Sequence, residues 1–227
     1  MEMKHIVFLT GAGMSAESGI STFRDSGGLW ENYDVMQVAS IDGWYINQDL
    51  MLNFYNDRRS QLNEVEPNEG HKIIAGLEKY FKVTVVTQNV DNLHERAGST
   101  DVIHLHGELT KACNESKTAV YEIGANPINP GDKAEDGSQL RPFIVWFGEA
   151  VPLIETAAEA ISKADVVVIV GTSMQVYPAA GLIHYAPKGI PIFLIDPNEV
   201  NLSSNVVFIK EKAGKGLAIL KEKLLTK

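Results

Sequence analysis

Cysteine is almost missing from this chain. Cys113 is the only one in 227 residues, so no internal disulfide framework can form and the fold must rest on packing and hydrogen bonds. Long apolar runs are also missing. No stretch reaches the roughly 20 residues of a membrane span, and no membrane partner is expected. The apolar run inside "MEMKHIVFLTGAG" is too short for a signal peptide and leads straight into patterned sequence, so a cytoplasmic location is expected. Positive charge is in deficit: 20 Lys and Arg face 29 Asp and Glu, for a net charge of −9. A binder of phosphate backbones needs a cationic face, so no nucleic acid is expected, while cationic protein segments remain open as partners. Repeats and low-complexity segments are absent. The length suits one domain, 1–227, with room for a small insert.

What is present is concentrated first in Gly11 to Asp25, "GAGMSAESGISTFRD". It follows the apolar run Ile6 to Thr10, which reads as a buried strand. Strand, glycine turn and helix start together are the arrangement that holds a pyrophosphate. Gly11, Ala12, Gly13 and Ser15 are therefore candidate dinucleotide contacts, with the glycines letting phosphate approach bare backbone. A tight turn of small packing residues would share this short pattern. Phe23 and Arg24, just beyond, have the look of a lid over a ligand.

Further along, helices are expected over Trp44 to Leu62, about His71 to Lys79, Ile154 to Ser162 and Gly214 to Leu225. Strands are expected at Val83 to Val86, Val102 to Leu109, within Pro142 to Pro152, within Ala164 to Ser173 and within Pro191 to Asn198. This alternation predicts an α/β fold with a mostly parallel sheet. Four strands end in polar or glycine-containing turns: "GAG", "TQNVD", "GTS" and Asp196. In a parallel sheet these ends share one edge, where one elongated ligand can touch all of them. The stretch Cys113 to Leu140 (113–140) carries few large apolar groups and reads as a small insert.

The segments "GAGMSAESGISTFRD", "TQNVDNLHERAG", "HLHGEL", "PFIVWFGE" and "GTSMQVYPAAG" stand in the order and spacing of the sirtuins. The chain resembles this family of NAD-dependent protein-lysine deacylases from about Lys4 to its C-terminus, in particular a bacterial class that includes relatives of the mitochondrial desuccinylases. The resemblance implies a Rossmann-like parallel sheet with a small inserted module. NAD and acyl-lysine of a protein or peptide would meet in the cleft between them. It also implies the reaction: the acyl oxygen attacks C1′ of the nicotinamide ribose, nicotinamide leaves, a histidine deprotonates a ribose hydroxyl, and the acyl group ends on ADP-ribose.

By the same resemblance, His106 is the general base, Asn89 holds a water near the leaving group, Gln88 bonds the ribose and Asp91 accepts from the nicotinamide carboxamide. On residue type alone His104 competes with His106, since both titrate near neutrality and alternate positions of a strand share a face; the family's "HG" element selects His106. Phe23 would shield the reacting centre and Arg24 would pair with phosphate. Gly171, Thr172 and Ser173 form a second polar rim, Asp196 takes the adenosine ribose, and Asn198 and Ala213 join the cofactor-binding set. Asp196 departs from the Asn found in many members and disfavours a 2′-phosphate.

Tyr55 and Arg58 lie three apart, on one helix face, and a phenol beside a guanidinium suits a carboxylate. The family's succinyl- and malonyl-preferring members carry this pair, so acidic acyl groups are expected, with acetyl as a second substrate. Val145, Phe147, Gly148 and Val176 would hold the substrate peptide by strand addition.

Sirtuins usually carry two cysteine pairs that hold a structural zinc. With one cysteine, and no histidine between His106 and His184, a tetrahedral site of that type cannot be assembled, and no structural zinc or other metal is expected. An NAD-dependent dehydrogenase would share the glycine loop but not the "QNVD", "HG" and "GTS" set. A mono-ADP-ribosyltransferase, an NAD glycohydrolase or a non-catalytic NAD- or ADP-ribose-binding module would use the same cleft.

Overall fold

The computed structural model describes residues 3–20, 33–172, 179–199 and 206–226. In chain order its strands are β1 (His5–Thr10), β2 (Lys82–Thr87), β3 (Val102–His104), β4 (Gly107–Cys113), β5 (Val120–Glu122), β6 (Arg141–Ile144), β7 (Val166–Val170), β8 (Ile192–Ile195) and β9 (Val206–Ile209). Its α-helices are α1 (Ala12–Ser15), α2 (Val35–Val38), α3 (Ile41–Ile46), α4 (Gln48–Gln61), α5 (Glu69–Leu77), α6 (Leu93–Ala97), α7 (Ile154–Ser162) and α8 (Ala213–Leu225).

Six strands pair in the order β3-β2-β1-β7-β8-β9, and β5-β4-β6 form a second sheet. Every pairing in the first sheet is parallel, and both pairings in the second are antiparallel. β1 and β7 are buried along their whole length, which is why they read as unbroken β-branched and apolar runs. Alternate side chains go to opposite faces. Ile6, Phe8, Val83, Val85 and Val168 pack with Ile74 and Leu77 of α5 and Leu217 and Leu220 of α8. Val7, Leu9, Val86, Val167 and Ile169 pack with Ala157 and Ile161 of α7.

A third apolar cluster joins α3 and α4 to the small sheet through Trp44, Phe54, Tyr55, Leu109, Ile144 and Trp146. The large sheet and the small sheet are thus separately cored, and the strand order of the large sheet reverses at β1 and β7. In such sheets the crevice beyond that reversal is where ligands bind.

The observed elements differ from the sequence expectation at several places, among them the short elements α2, β5 and α6, which were not anticipated. The helix expected over Trp44 to Leu62 is broken at Asn47, whose non-helical backbone (φ −150°, ψ 84°) and side chain, accepting from Leu50 N–H at 3.0 Å, cap α4. The single strand expected over Val102 to Leu109 is two strands in different sheets. Gly107 makes the switch at φ +82°, and a Cβ there would sit 2.0 Å from the Phe143 carbonyl oxygen, so only glycine fits. β9, a short, half-exposed edge strand, was not anticipated.

Polar side chains tie the small module together. The Asn114 amide, 3% exposed, donates to Asp136 Oδ2 at 2.7 Å and to the Ser116 and Thr118 hydroxyls, and accepts from Ala119 N–H. Arg141 pairs with both oxygens of Glu149 at 2.9 and 3.0 Å, lies 3.6 Å from the Trp146 ring centroid, and shares Glu149 with Lys117. Among the described residues no group of three or more His, Cys, Asp or Glu could hold a metal ion, and no helix is long and apolar enough to cross a membrane.

Candidate active site

The carboxyl ends of β1, β2, β7 and β8 lie along one edge, as parallel pairing requires. Gly11 N–H donates to Val170 O at 3.0 Å and Gly13 N–H to Gly171 O at 2.9 Å. A Cβ on Gly11 would meet Thr172 Cβ at 2.7 Å, and one on Gly13 would meet Gly171 Cα at 2.7 Å. These glycines are therefore required first by the close passage of two strand-end loops, a different reason from the phosphate approach expected from sequence. α1 is a single turn that runs into the 3₁₀ segment Ala16–Ser18, so the helix expected after the glycine turn is short, and its Gly13 N–H is already committed.

The polar turn after β2 is held from below. The three successive carbonyls of Gln88, Asn89 and Val90 accept, respectively, from His106 Nδ1 at 3.0 Å, His104 Nδ1 at 3.1 Å and Leu109 N–H at 2.8 Å. With its backbone fixed this way, the turn sends its side chains toward β1 and β7. Gln88 Nε2 donates to Thr172 Oγ1 at 3.1 Å. Asn89 Nδ2 donates to Gly11 O and Ser15 Oγ, both at 3.0 Å. Ser15 Oγ donates to Asp91 Oδ2 at 2.9 Å, and Leu93 N–H donates to Asp91 Oδ1. The structure thus brings Gly11, Ser15, Gln88, Asn89, Asp91, Gly171 and Thr172 together with both histidines.

Electrostatics separate those histidines. A carbonyl oxygen can only accept, so His106 carries its proton on Nδ1 and its Nε2 lone pair is open, with no partner among the described residues. Burial, partly offset by the Gln88 carbonyl, holds its pKa below the ordinary value of 6.5, so the ring is neutral at pH 7. His104 is buried and contacts Glu95 Oε1 at 2.6 Å through Nε2. Burial is the largest single effect and pulls it down, but the Glu95 carboxylate, helped by Glu108 and the Asn89 carbonyl, puts its pKa above 6.5. Burial dominates at Asp91 and raises its carboxyl despite the Leu93 and Ser15 bonds and nearby cations.

Tyr55 and Arg58 stand side by side on α4. Tyr55 is 4% exposed, and its oxygen accepts from Trp146 Nε1 at 2.9 Å, leaving its own O–H to donate. Burial pushes the phenol pKa up to about 12, so it stays neutral. Burial lowers the Arg58 pKa, against the pull of Tyr55 and Asp91; the guanidinium therefore lies near the same Asp91 that closes the turn after β2. Trp146 was not singled out from sequence: its bond to Tyr55 spans 91 positions.

Asp196, at the end of β8, is buried and accepts from Asn198 N–H at 2.9 Å. Asn198 is exposed and Ala213 buried at the start of α8. Phe147 N–H donates to Ala39 O, Ile41 N–H to Phe147 O, Val145 N–H to His106 O, and Trp146 N–H to Glu149 Oε2. Much of the strand-addition surface expected at Val145 to Gly148 is thus already bonded, with the Val145 carbonyl and both backbone groups of Gly148 left over among the described residues. Phe23, Arg24, Ser173 and Val176 lie outside the described residues.

A parallel sheet whose strand order reverses at β1 and β7, an inserted antiparallel module and a neutral histidine beside the polar strand-end turns define a Rossmann-like nucleotide-binding protein. Comparison with known proteins sharpens this. A model of the Sir2 family matches residues 11–178. The NAD-dependent protein deacylase of Bacteroides thetaiotaomicron is 56% identical over 236 residues, covering 98% of this chain and 99% of that protein. That of Helicobacter pylori is 52% identical over 225 residues, covering 98% of each. A mutant Sir2 homologue solved with ADP-ribose superposes with a TM-score of 0.90 at 38% identity, covering 99% of this chain and 94% of that one. The chain belongs to the Sir2 family, the sirtuins.

Proposed function

We propose that this protein is an NAD-dependent protein-lysine deacylase that removes acidic acyl groups, succinyl or malonyl, in preference to acetyl. NAD dependence and deacylation follow from family membership and from relatives of that name matching end to end. The observation that carries the mechanism is His106: Nδ1–H is spent on the Gln88 carbonyl, and Nε2 is left as a lone pair beside the strand-end rim.

The donor set of that rim fits a dinucleotide. Ser15, Asn89, Asp91, Thr172 and Asp196 are buried polar groups along one sheet edge, an environment suited to hydroxyl, amide and phosphate groups rather than to apolar ligands. Bound NAD supplies an anomeric carbon with nicotinamide as the leaving group. Gln88 bonds the nicotinamide ribose, Asn89 holds a water near the leaving group, and the Asp91 carboxyl accepts from the carboxamide. His106 Nε2 then takes the proton of a ribose hydroxyl, so that oxygen can receive the acyl group. The balance is NAD, acyl-lysine and water in; nicotinamide, acyl-ADP-ribose and free lysine out.

Acyl selectivity rests on the Tyr55–Arg58 pair. A half-buried guanidinium and a neutral phenol on adjacent turns of α4 offer one charged and one uncharged donor to a terminal carboxylate. A charge-assisted bond is worth about 1.5–3 kcal/mol. Replacing Arg58 with Met is therefore expected to lower kcat/KM for a succinyl-lysine peptide about 10- to 100-fold more than for the acetyl-lysine peptide. Equal losses on the two peptides would defeat the acyl assignment and leave the deacylase reading intact.

A further inference from the structure

We propose that His104 is a charged positioning residue of this site: as an imidazolium seated on Glu95 it donates from Nδ1 to the Asn89 carbonyl, and loss of its proton lets the catalytic turn go slack. This rests on the reading of His106 and Asn89 given above.

The geometry fixes the protonation. His104 Nδ1 lies 3.1 Å from the Asn89 carbonyl oxygen and Nε2 lies 2.6 Å from Glu95 Oε1. A carbonyl has no proton to give, and an ionised carboxylate has none either. Both ring nitrogens must donate, which only the doubly protonated ring can do. His106, two residues on, makes one such bond and needs one proton. The two histidines of "HLH" therefore hold successive carbonyls of "QNV" in opposite charge states, one spent as a brace and one left as a base.

Deprotonation has a definite consequence. The remaining proton stays on Nε2, where the bond to a carboxylate is charge-assisted and stronger. Nδ1 then turns a lone pair on the Asn89 carbonyl, and one of three anchors of the turn is replaced by repulsion. The charged and titratable groups facing His104 are Glu95 and His94 on α6, Asp91 in the turn, and Glu108 on β4. Of these, Glu108 is tied to Lys111 at 2.8 Å. The Glu95 side chain is 39% exposed and that of His104 6%, so solvent protons reach the pair from the Glu95 side.

The profile of kcat against pH is therefore a bell, with an acid limb from His106 and an alkaline limb from His104. Glu95→Gln removes the requirement for charge, because an amide can donate to Nε2 while neutral His104 keeps Nδ1–H on Asn89. It is expected to abolish the alkaline limb. His104→Leu is expected to lower kcat by up to about 100-fold, the scale of a ~1 Å misplacement, with no alkaline limb left.

Nitrogen-15 NMR of the histidine rings in the full-length protein at pH 7 gives a readout independent of turnover. Both His104 nitrogens are expected to be protonated, and only Nδ1 of His106. A neutral His104, or a Glu95→Gln variant with the wild-type alkaline limb, would overturn the inference. A failure of the His106 reading would appear separately, as an unchanged acid limb in a His106→Asn variant that still turns over.

Discussion

His106 Nδ1 donates to the carbonyl of Gln88 at 3.0 Å, and this bond decides which ring nitrogen is free for chemistry. Burial holds the pKa of His106 below 6.5. A base works only when neutral, so the contribution of His106 is full above that value and falls as pH drops through it. The acid limb of kcat is expected below pH 6.5, and His106→Asn is expected to remove about 10²- to 10⁴-fold of the turnover, the usual contribution of a positioned base. Steady-state kinetics from pH 5 to 8 on both proteins checks this; an acid limb centred well above 6.5 would contradict it.

Two other histidines govern stability. His71 and His94 are 0% and 1% exposed, with ring centroids 4.8 Å apart. His71 Nδ1 accepts from Asn68 N–H, closing the capping box of α5, so its proton sits on Nε2, a buried atom without a partner among the described residues. Burial lowers the pKa of His71 to about 4 and that of His94 well below 6.5. The unfolded chain therefore takes up protons first as pH falls. The stability these neutral rings allow is complete above pH 6.5 and is lost progressively toward pH 4. Each unit of separation is worth about 1.4 kcal/mol, so His71 accounts for roughly 3 kcal/mol over that window. Urea midpoints measured from pH 7.5 to 4.5 are expected to fall steadily, and less steeply in His71→Gln.

Asn114 is the hub of the cysteine-poor module. Its amide joins the loop after β4 to Asp136 and to the Ser116 and Thr118 hydroxyls. Asn114→Ala removes the partner of the half-buried Ala119 N–H and unties the exposed Ser116 and Thr118 hydroxyls, at a cost of about 1 kcal/mol. Differential scanning calorimetry is expected to show a lower melting temperature, while added zinc restores nothing. Recovery of the wild-type melting temperature with zinc would mean that the module is held by metal after all.

The sheet was legible because its central strands are chemically monotonous. Ile6 to Leu9 and Val166 to Val170 are apolar and buried on both faces, and such runs have few alternatives in a chain this long. The shared edge of the polar turns followed from parallel pairing. Gly107 hid a change of sheet inside one continuous apolar-polar alternation, because the signal for a switch is a backbone angle and not a side chain. The braces on the site were hidden for another reason. Glu95 finds His104 nine residues on, and Trp146 finds Tyr55 across 91 positions within one core; neither contact leaves a trace in local spacing. His104 was visible only as a rival to His106, and its distinct duty emerges from the acceptors around it.

The central claim is that the crevice moves an acyl group from lysine to ADP-ribose. Mass spectrometry of the products formed from NAD and a succinyl-lysine peptide tests it directly. Nicotinamide, succinyl-ADP-ribose and the unmodified peptide are expected in equal amounts. ADP-ribosylated protein, or free ADP-ribose released at the same rate without peptide, would contradict it.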